Sequence, residues 1–229
     1  KEALHTELAD EAICIGPAKA ADSYLNVQQI LSAAIVTKAE AIHPGFGFLS
    51  ENSRFAAMCE ECNIVFIGPK SETIDAMGNK INARRLMIEA EVPVIPGSKG
   101  AISDVEEALT IAEEIGYPVM LKAAAGGGGK GIRKVADKEA LPHHFASAQQ
   151  EAKAAFGNDE MYIEKIIYPA RHIEVQVLGD SFGNIIHLGE RDCSLQRNNQ
   201  KVLEESPSVV ISESKRAELG EAAVRAAQA

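Results

Sequence analysis

The stretch of sequence that decides the fold is YPVMLKAAAGGGGKGIRKV, residues 117–135. Apolar runs at 119–123 and 132–136 lie on either side of a run of glycines, which predicts a strand, a loop and a second strand. Glycine has no side chain to shield the backbone N–H groups, so such a loop is suited to binding phosphate. The glycines of this run are Gly126, Gly127, Gly128 and Gly129.

Two familiar phosphate-binding motifs fit this loop poorly. Gly126, Gly128 and Gly131 satisfy GxGxxG, but a dinucleotide fingerprint opens a helix, whereas a strand is predicted here. A Walker A loop requires Ser or Thr after its lysine, and Lys130 is followed by glycine. A hairpin lid over a nucleoside triphosphate fits better, with Lys122 directing its charge at phosphate. The alternative is a surface linker in which Lys122 is an ordinary solvated lysine.

Before this stretch, apolar runs alternate with helical patterns, which predicts βα units and a mainly parallel sheet. Residues 71–90 are helical in pattern with a break at Gly78, and the Pro/Gly-rich residues 92–100 predict a domain boundary. The predicted strands are 12–15, 39–43 and 64–67, and the predicted helices are 26–37 and 51–62.

The later part of the chain combines further helices with strands. Ser103 and Glu106 form a capping-box pattern, which predicts a helix that ends at Gly116. In HIEVQVL, apolar residues alternate with polar ones, so one face of this strand is expected to be buried. Those apolar residues are Ile173, Val175 and Val177. The remaining predictions are helices at 138–156 and 212–229 and strands at 161–166, 172–178 and 184–189.

The composition is that of a packed globular protein. The 229 residues are 46% hydrophobic and 24% charged, which argues against disorder. The net charge of −10 disfavours a nucleic-acid partner, and the sequence has no apolar run of the ~20 residues that cross a bilayer, so no membrane is expected either. A cytoplasmic location is predicted. Because the sequence begins at Lys1 and ends at Ala229 within a helical pattern, we expect a piece of a longer chain.

Cysteine spacing does not predict a metal site. A zinc ribbon needs two close pairs of cysteines, and this sequence contains one such pair, Cys59 and Cys62. We expect the cysteines to be reduced and structural, with metal binding or redox chemistry at this pair as the alternative.

Three long motifs occur together in this sequence: AIHPGFGFLSEN at 41–52, YPVMLKAAAGGGGKG at 117–131 and GERDCSLQRNNQK at 189–201. With them the whole chain resembles the biotin carboxylase component of biotin-dependent carboxylases, which are members of the ATP-grasp superfamily. The details look most like the stand-alone subunit of a bacterial acetyl-CoA carboxylase.

The resemblance implies a mixed fold, α/β and α+β. A truncated Rossmann-like N-terminal domain would be followed by the ATP-grasp lid domain and by the start of the C-terminal ATP-grasp domain. The implied boundaries are 1–68 for the rest of the N-terminal domain, 69–93 for a helical connection, 94–166 for the lid and 167–229 for the beginning of the C-terminal domain.

The resemblance also implies a reaction. ATP phosphorylates bicarbonate to carboxyphosphate, and the carboxyl group then passes to biotin on a carrier protein, as the first half-reaction of acetyl-CoA carboxylase in fatty acid synthesis. Implied partners are the biotin carboxyl carrier protein, carboxyltransferase subunits and a second copy in a homodimer. The ligands for Mg²⁺ would lie downstream of this chain, so no metal ligand is expected within it, and the chain alone is expected to be inactive.

Site residues follow from the resemblance, position by position. Lys201 would face bicarbonate as the catalytic residue, and Asn199 stands where many relatives carry histidine, which exchanges an ionisable ring for a neutral amide. The residues implied to bind ATP are Lys80 and Lys122 at phosphate, Gly126 to Gly129 in the lid, Glu164, Lys165 and Ile167 at the adenine edge, and His172, Gln196 and Asn199 around the nucleotide.

Two alternatives stay open. The chain would also fit the biotin carboxylase region of a pyruvate or propionyl-CoA carboxylase. A catalytically dead nucleotide-binding module on the same fold is the other alternative, since fold does not fix function.

Overall fold

A computed structural model describes residues 3–124, 131–197 and 200–229, with the backbone alone at Lys80. Contacts divide the chain into two compact units, 1–79 and 80–229. In the described parts of the chain, no helix has the length and apolar composition needed to span a membrane.

The first unit contains a short parallel pair of strands between helices. Ala41 lies opposite Val65 in this pair, as βα alternation predicts. The side chains of Asn26 and Asn52 cap two of the helices, each accepting a hydrogen bond from the backbone N–H three residues on. The elements are α1 (Leu4–Leu8), α2 (Val27–Val36), β1 (Ala41–Ile42), α3 (Ser53–Glu61), β2 (Val65–Phe66) and α4 (Ser71–Gly78), with short 3-10 helices at Ala20–Asp22 and Phe48–Glu51.

Apolar side chains from α2, α3 and β2 form the core of the first unit. Phe55 packs edge-on against Phe66, with ring centres 5.8 Å apart. Cys59 is buried beside them, whereas Cys62 is exposed, and all four cysteines, each within the described residues, are free thiols. Only Cys59 and Cys193 are buried, as structural cysteines are expected to be, and the reduced state of the four stays a prediction.

The strand predicted at 12–15 is wrong. Residues 11–15 form no strand with any described residue, and most of them are exposed. A short apolar run becomes a strand only where a neighbouring strand accepts its hydrogen bonds and a core covers its side chains.

In the second unit, a three-stranded antiparallel sheet packs against two helices. The hairpin prediction is confirmed: β3 pairs with β4 so that Val119 faces Val135, and β3 pairs with β5 on its other edge. The loop residues 125–130 lie outside the described residues. The elements are α5 (Lys80–Glu89), α6 (Val105–Ile115), β3 (Val119–Ala123), β4 (Arg133–Val135), α7 (Leu141–Phe156) and β5 (Met161–Lys165).

The alternation of residues along β3 and β5 separates a buried face from a polar face. On β3, residues 119, 121 and 123 are buried and residues 120 and 122 are partly exposed. The buried face packs on α6 and α7, where Ala108, Ala112, Phe145 and Ala152 lie in the same cluster. Residues 120 and 122 therefore point away from this core.

The capping box predicted for α6 does not form. Asp104 occupies the N-cap position and makes no side-chain capping bond to any described residue. Ile102 is paired with Met161 of β5, and the Ser103 carbonyl accepts a hydrogen bond from Gln149, so the chain turns into the helix one residue later than predicted.

The Pro/Gly-rich segment predicted as a boundary runs along the edge of β5 that faces away from β3. Ser98 N–H donates to the Ile163 carbonyl at 2.8 Å, and Ile102 N–H donates to the Met161 carbonyl at 2.7 Å. A Cβ atom at Gly97 would lie 2.4 Å from the Ile163 oxygen, so this close approach requires glycine. Both edges of β5 are therefore occupied.

The last part of the second unit is a second antiparallel sheet covered by a helix. The predicted strand at 184–189 is too short, because β7 continues to Arg197, and β8 was not predicted at all. The predicted strand ended at residue 189, before two carboxylates, Glu190 and Asp192, which are both buried and paired with arginine. The elements are β6 (Ile173–Gly179), β7 (Ile185–Arg197), β8 (Gln200–Glu205) and α8 (Glu213–Gln228), with the sheet order β6-β7-β8.

The burial predicted for one face of β6 is only partial. Ile173, Val175 and Val177 are each half-buried, while Gln176 and Leu178 are exposed. Alternation along the strand is therefore correct, but the apolar face is not fully covered by the described residues.

Candidate functional site

Lys122 and Glu164 form an ion pair on the polar face of the β4-β3-β5 sheet. Lys122 lies opposite Tyr162 in the strand register, and Glu164 is two residues further along β5 on the same face. The Tyr162 hydroxyl donates to Glu164 Oε2 at 2.8 Å, and Lys122 Nζ lies 5.8 Å from the centre of the Tyr162 ring. The lysine is thus oriented by a carboxylate and an aromatic ring at once.

The environment of Tyr162 keeps its phenol protonated. Burial raises the pKa of Tyr162 well above its usual value, and the hydrogen bond to Glu164 and the charge of that carboxylate raise it further. Tyr162 therefore remains a donor to Glu164 at neutral pH. Because an ammonium group carries more than one N–H donor, Lys122 can keep its bond to Glu164 and still bind an anion.

Lys165 is held away from this pair. Its Nζ donates to the carbonyls of Gly116 and Tyr117, each at 2.8 Å, so it satisfies groups at the end of α6. Ile167 lies beyond the last paired residue of β5, and its side chain is half exposed. The structure thus places Glu164 with Lys122, and Lys165 at a different position.

His172 and Gln196 meet at the edge of the second sheet. Gln196 Nε2 lies 2.9 Å from the Cys193 carbonyl and 2.9 Å from His172 Nδ1. A carbonyl only accepts, so the Gln196 nitrogen is the donor in both contacts, and His172 Nδ1 accepts. The neutral His172 ring therefore carries its proton on Nε2, where it can donate to a ligand.

Lys201 belongs to a charged cluster on β6, β7 and β8. Glu174 pairs with both Lys201 and Arg191, and Arg191 also donates to Gln176 at 3.1 Å. Burial raises the pKa of Glu174, but the bonds from Lys201 and Arg191 outweigh it and leave the pKa lowered. The hydrogen bond to Glu174 raises the pKa of Lys201, so this lysine stays cationic at neutral pH.

Cys193 lies beneath this charged cluster. Burial raises the pKa of the Cys193 thiol, and the charge of Glu174 raises it further, so it stays protonated. Among the described residues, Glu174, Cys193 and Glu204 are close enough together to suggest a metal site. Mg²⁺ fits it poorly, because this ion prefers oxygen ligands and Glu174 is already bound to two cations.

Several predicted site residues cannot be placed by their side chains. Gly126 to Gly129 and Asn199 lie outside the described residues, and Lys80 is the first residue of α5 with its side chain outside them. Five of the others form three local groups: Lys122 with Glu164, His172 with Gln196, and Lys201 with Glu174, which was not predicted.

Sequence reasoning missed some of the residues that hold these groups. Tyr162 and Glu164 are two residues apart on a predicted strand, and side chains two residues apart point to the same face. This alternation alone could have predicted Tyr162 beside Glu164. Glu174 alternates with apolar residues in HIEVQVL, but this alternation predicts burial for the apolar positions and gives no role to the polar ones. Arg191, Asp192 and Ser194 had no usable signal because the strand that orders them was not predicted.

Comparison with known families identifies the two units. Residues 79–229 match the model of the carbamoyl-phosphate synthase L chain ATP binding domain, and residues 1–74 match the biotin carboxylase N-terminal domain. The chain belongs to the biotin carboxylase family. The recognition made from the three sequence motifs is therefore confirmed at this level.

Curated biotin carboxylases match the chain from end to end. Biotin carboxylase 1 of Bacillus subtilis is 56% identical over 229 residues, and the biotin carboxylase of Nostoc is 54% identical over 228 residues, each match covering 100% of this chain and 51% of the relative. The mitochondrial propionyl-CoA carboxylase alpha chain of Homo sapiens is 52% identical over 226 residues, or 99% of this chain and 31% of the relative. The chain spans about half the length of the first two relatives.

Solved biotin carboxylase structures share the fold. A Campylobacter jejuni biotin carboxylase in a β,γ-ATP complex is 53% identical with a TM-score of 0.82, covering 100% of this chain and 51% of that chain. The biotin carboxylase domain dimer of Hydrogenobacter thermophilus 2-oxoglutarate carboxylase, in complex with MgADP, ADP and bicarbonate, is 50% identical with a TM-score of 0.77, covering 98% and 49%. The predicted mixed fold with ATP-grasp domains is consistent with both.

Proposed function

We propose that this chain is the N-terminal and ATP-binding part of an enzyme that carboxylates carrier-bound biotin with ATP and bicarbonate. The observation that carries the proposal is Lys122, oriented by Glu164 and Tyr162 on the strand that leads into the glycine-rich loop. The family supports the substrates, since related structures are named as complexes with a nucleotide and with bicarbonate.

The proposed reaction has two steps. A bicarbonate oxygen attacks the γ-phosphorus of ATP, giving carboxyphosphate and ADP. The ureido nitrogen of biotin then takes the carboxyl group, while phosphate leaves and the nitrogen loses its proton. Phosphoryl transfer depends mainly on positioning and on neutralisation of charge, which is the work that lysines and glycine-rich loops do.

We assign the nucleotide-binding roles residue by residue. Lys80 and Lys122 would neutralise phosphate beside Gly126 to Gly129, and Glu164 with the backbones of Lys165 and Ile167 would meet the adenine edge. His172, Gln196 and Asn199 would line the pocket, with His172 Nε2 as a donor. Lys201 would bind bicarbonate, helped by its raised pKa. Because Mg²⁺ fits the cluster of Glu174, Cys193 and Glu204 poorly, its ligands are proposed to lie in the part of the enzyme that this chain does not span.

The acyl acceptor is part of the proposal. We favour the first half-reaction of acetyl-CoA carboxylase in fatty acid synthesis, with a biotin carboxyl carrier protein, carboxyltransferase subunits and a homodimeric enzyme in the cytoplasm. A biotin carboxylase region of a pyruvate or propionyl-CoA carboxylase is the second candidate, because relatives with both names match this chain closely.

The test is ATP cleavage by the intact protein that carries this sequence, with Mg²⁺, free biotin and bicarbonate. We expect ADP release to require bicarbonate and to rise with biotin, and we expect this chain alone to release none. ATP binding by the intact protein without any cleavage would instead identify a dead nucleotide-binding module. A biotin attachment site on the same polypeptide would favour the second candidate for the acceptor.

A further inference from the structure

Asp192 is a buried carboxylate on β7 with hydrogen bonds to both of its oxygens. Its side chain is 6% exposed. Oδ1 accepts from the Ser194 hydroxyl at 2.6 Å and from the Ser194 N–H at 3.1 Å. Oδ2 accepts from Arg171 and from the Ser208 hydroxyl, each at 3.3 Å. A buried charge with this many partners fixes the groups around it.

The first oxygen leads to the nucleotide-binding residues. A hydroxyl has a single proton, and Ser194 uses it in the hydrogen bond to Asp192, so the lone pairs of Ser194 Oγ are free to accept. His172 N–H donates to Ser194 Oγ at 3.0 Å, and the His172 carbonyl accepts from Cys193 N–H at 2.8 Å. The His172 backbone is therefore fixed from both sides, and its ring meets Gln196.

The second oxygen leads in a different direction. Ser208 connects Asp192 to Glu190, whose carboxylate accepts from Ser208 N–H at 3.0 Å and from Arg216 of α8. These contacts attach α8 to the sheet. One carboxylate thus has two arms, of which the Ser194 arm reaches His172 and the Ser208 arm reaches α8.

We propose that Asp192 and Ser194 are positioning residues that set the orientation of His172 and, through it, of Gln196 at the nucleotide. This inference rests on the proposed function, because it takes His172 as a nucleotide-binding group. The competing explanation is that Asp192 and Ser194 contribute only to stability, which is the role expected of Ser208.

The two arms give a matched pair of variants for the intact protein. Ser194→Ala should raise KM for ATP and Kd for ADP about threefold to tenfold, the loss of one well-placed hydrogen bond, with little change in kcat. Ser194→Thr keeps the hydroxyl and should restore both constants. Ser208→Ala removes a bond from the same carboxylate and should lower the melting temperature without changing either constant.

A double-mutant cycle separates positioning from general destabilisation. If Ser194 acts through the His172 ring, Ser194→Ala should have no further effect on ADP binding in a His172→Ala background. An effect of Ser194→Ala that persists in that background, or an equal effect of Ser208→Ala on ADP binding, would overturn the proposal.

Calorimetric titration with MgADP keeps this test separate from the test of function. A wild type that binds ADP but shows no bicarbonate-dependent ATP cleavage would fail the proposed function, while the variants still report on positioning. A wild type that binds no ADP would refute both.

Discussion

Lys122 and Glu164 are joined across two antiparallel strands, on the face of the sheet that points away from the core. Their strands are fixed by buried residues on the opposite face, so the packing of that face determines the geometry of the ion pair. An incoming phosphate would bind another N–H of the same ammonium group, which makes this pair the first target for mutation.

Replacing Lys122 with alanine in the intact protein should lower kcat/KM for ATP by about tenfold to a hundredfold, since a hydrogen bond to a charged group contributes about 1.5–3 kcal/mol. Steady-state kinetics at saturating bicarbonate measures this. Lys134 of β4 is an exposed lysine on the same sheet, and Lys134→Ala is the control that should leave ATP kinetics unchanged. Equal ATP kinetics in Lys122→Ala and wild type would refute the phosphate role.

Tyr162→Phe should make the free energy of unfolding less sensitive to alkaline pH. The unfolded phenol has a pKa of 10.0, and burial with Glu164 raises the folded pKa above it. Because the unfolded state then loses its proton first, the stabilisation is complete below pH 10 and is lost as pH rises further. Denaturant unfolding should show a steeper loss of stability above pH 10 in wild type than in Tyr162→Phe. Parallel pH profiles for the two proteins would contradict the raised pKa.

Lys201→Ala should reduce kcat/KM for bicarbonate about tenfold or more, while KM for ATP changes little, because the lost cation is proposed to face bicarbonate. Initial rates with each substrate varied in turn separate the two constants. Lys215 of α8 is exposed and pairs with Glu218, so Lys215→Ala removes the same charge elsewhere and serves as the control. A loss confined to ATP affinity in Lys201→Ala would show that the assigned roles are wrong.

Gly131 and Gly157 offer a matched test of the glycine that follows the loop. Both have positive φ angles, +67° and +73°, and alanine in this region costs about 1–2 kcal/mol. A Cβ at Gly131 would also lie 2.8 Å from the Ala123 Cβ, whereas one at Gly157 would meet no described atom within 4 Å. The free energy of unfolding should therefore fall by about 1 kcal/mol more in Gly131→Ala than in Gly157→Ala. Equal losses would show that the sheet adjusts freely.

Local patterns predicted the parts of the fold that depend on local rules. The hairpin around the glycines follows from two apolar runs, and Lys122 was found because it ends the first of them. Residues 12–15 show the limit of this reasoning, because a strand needs a partner that a short run does not reveal.

The rest depends on contacts distant in sequence. Glu190 and Asp192 carry charges that favour solvent, and they are buried because Arg216 and Arg171 pair with them across the fold. Their strand, and the Ser194 hydrogen bond that depends on it, could not be predicted. A carboxylate is buried at low cost only when charged or polar partners surround it, and these partners are distant in sequence.

The strand that carries Tyr162 and Glu164 has no free edge. Backbone N–H groups of β5 alternate between β3 on one side and residues 96–102 on the other, with Lys165 N–H donating to the Pro96 carbonyl and Ile166 N–H to the Pro118 carbonyl. Its amides should consequently be among the slowest in the second unit to exchange with deuterium, since exchange along the whole strand requires both neighbours to separate from it. The carboxylate that orients Lys122 is thus anchored in a segment protected against fraying and against pairing with another chain.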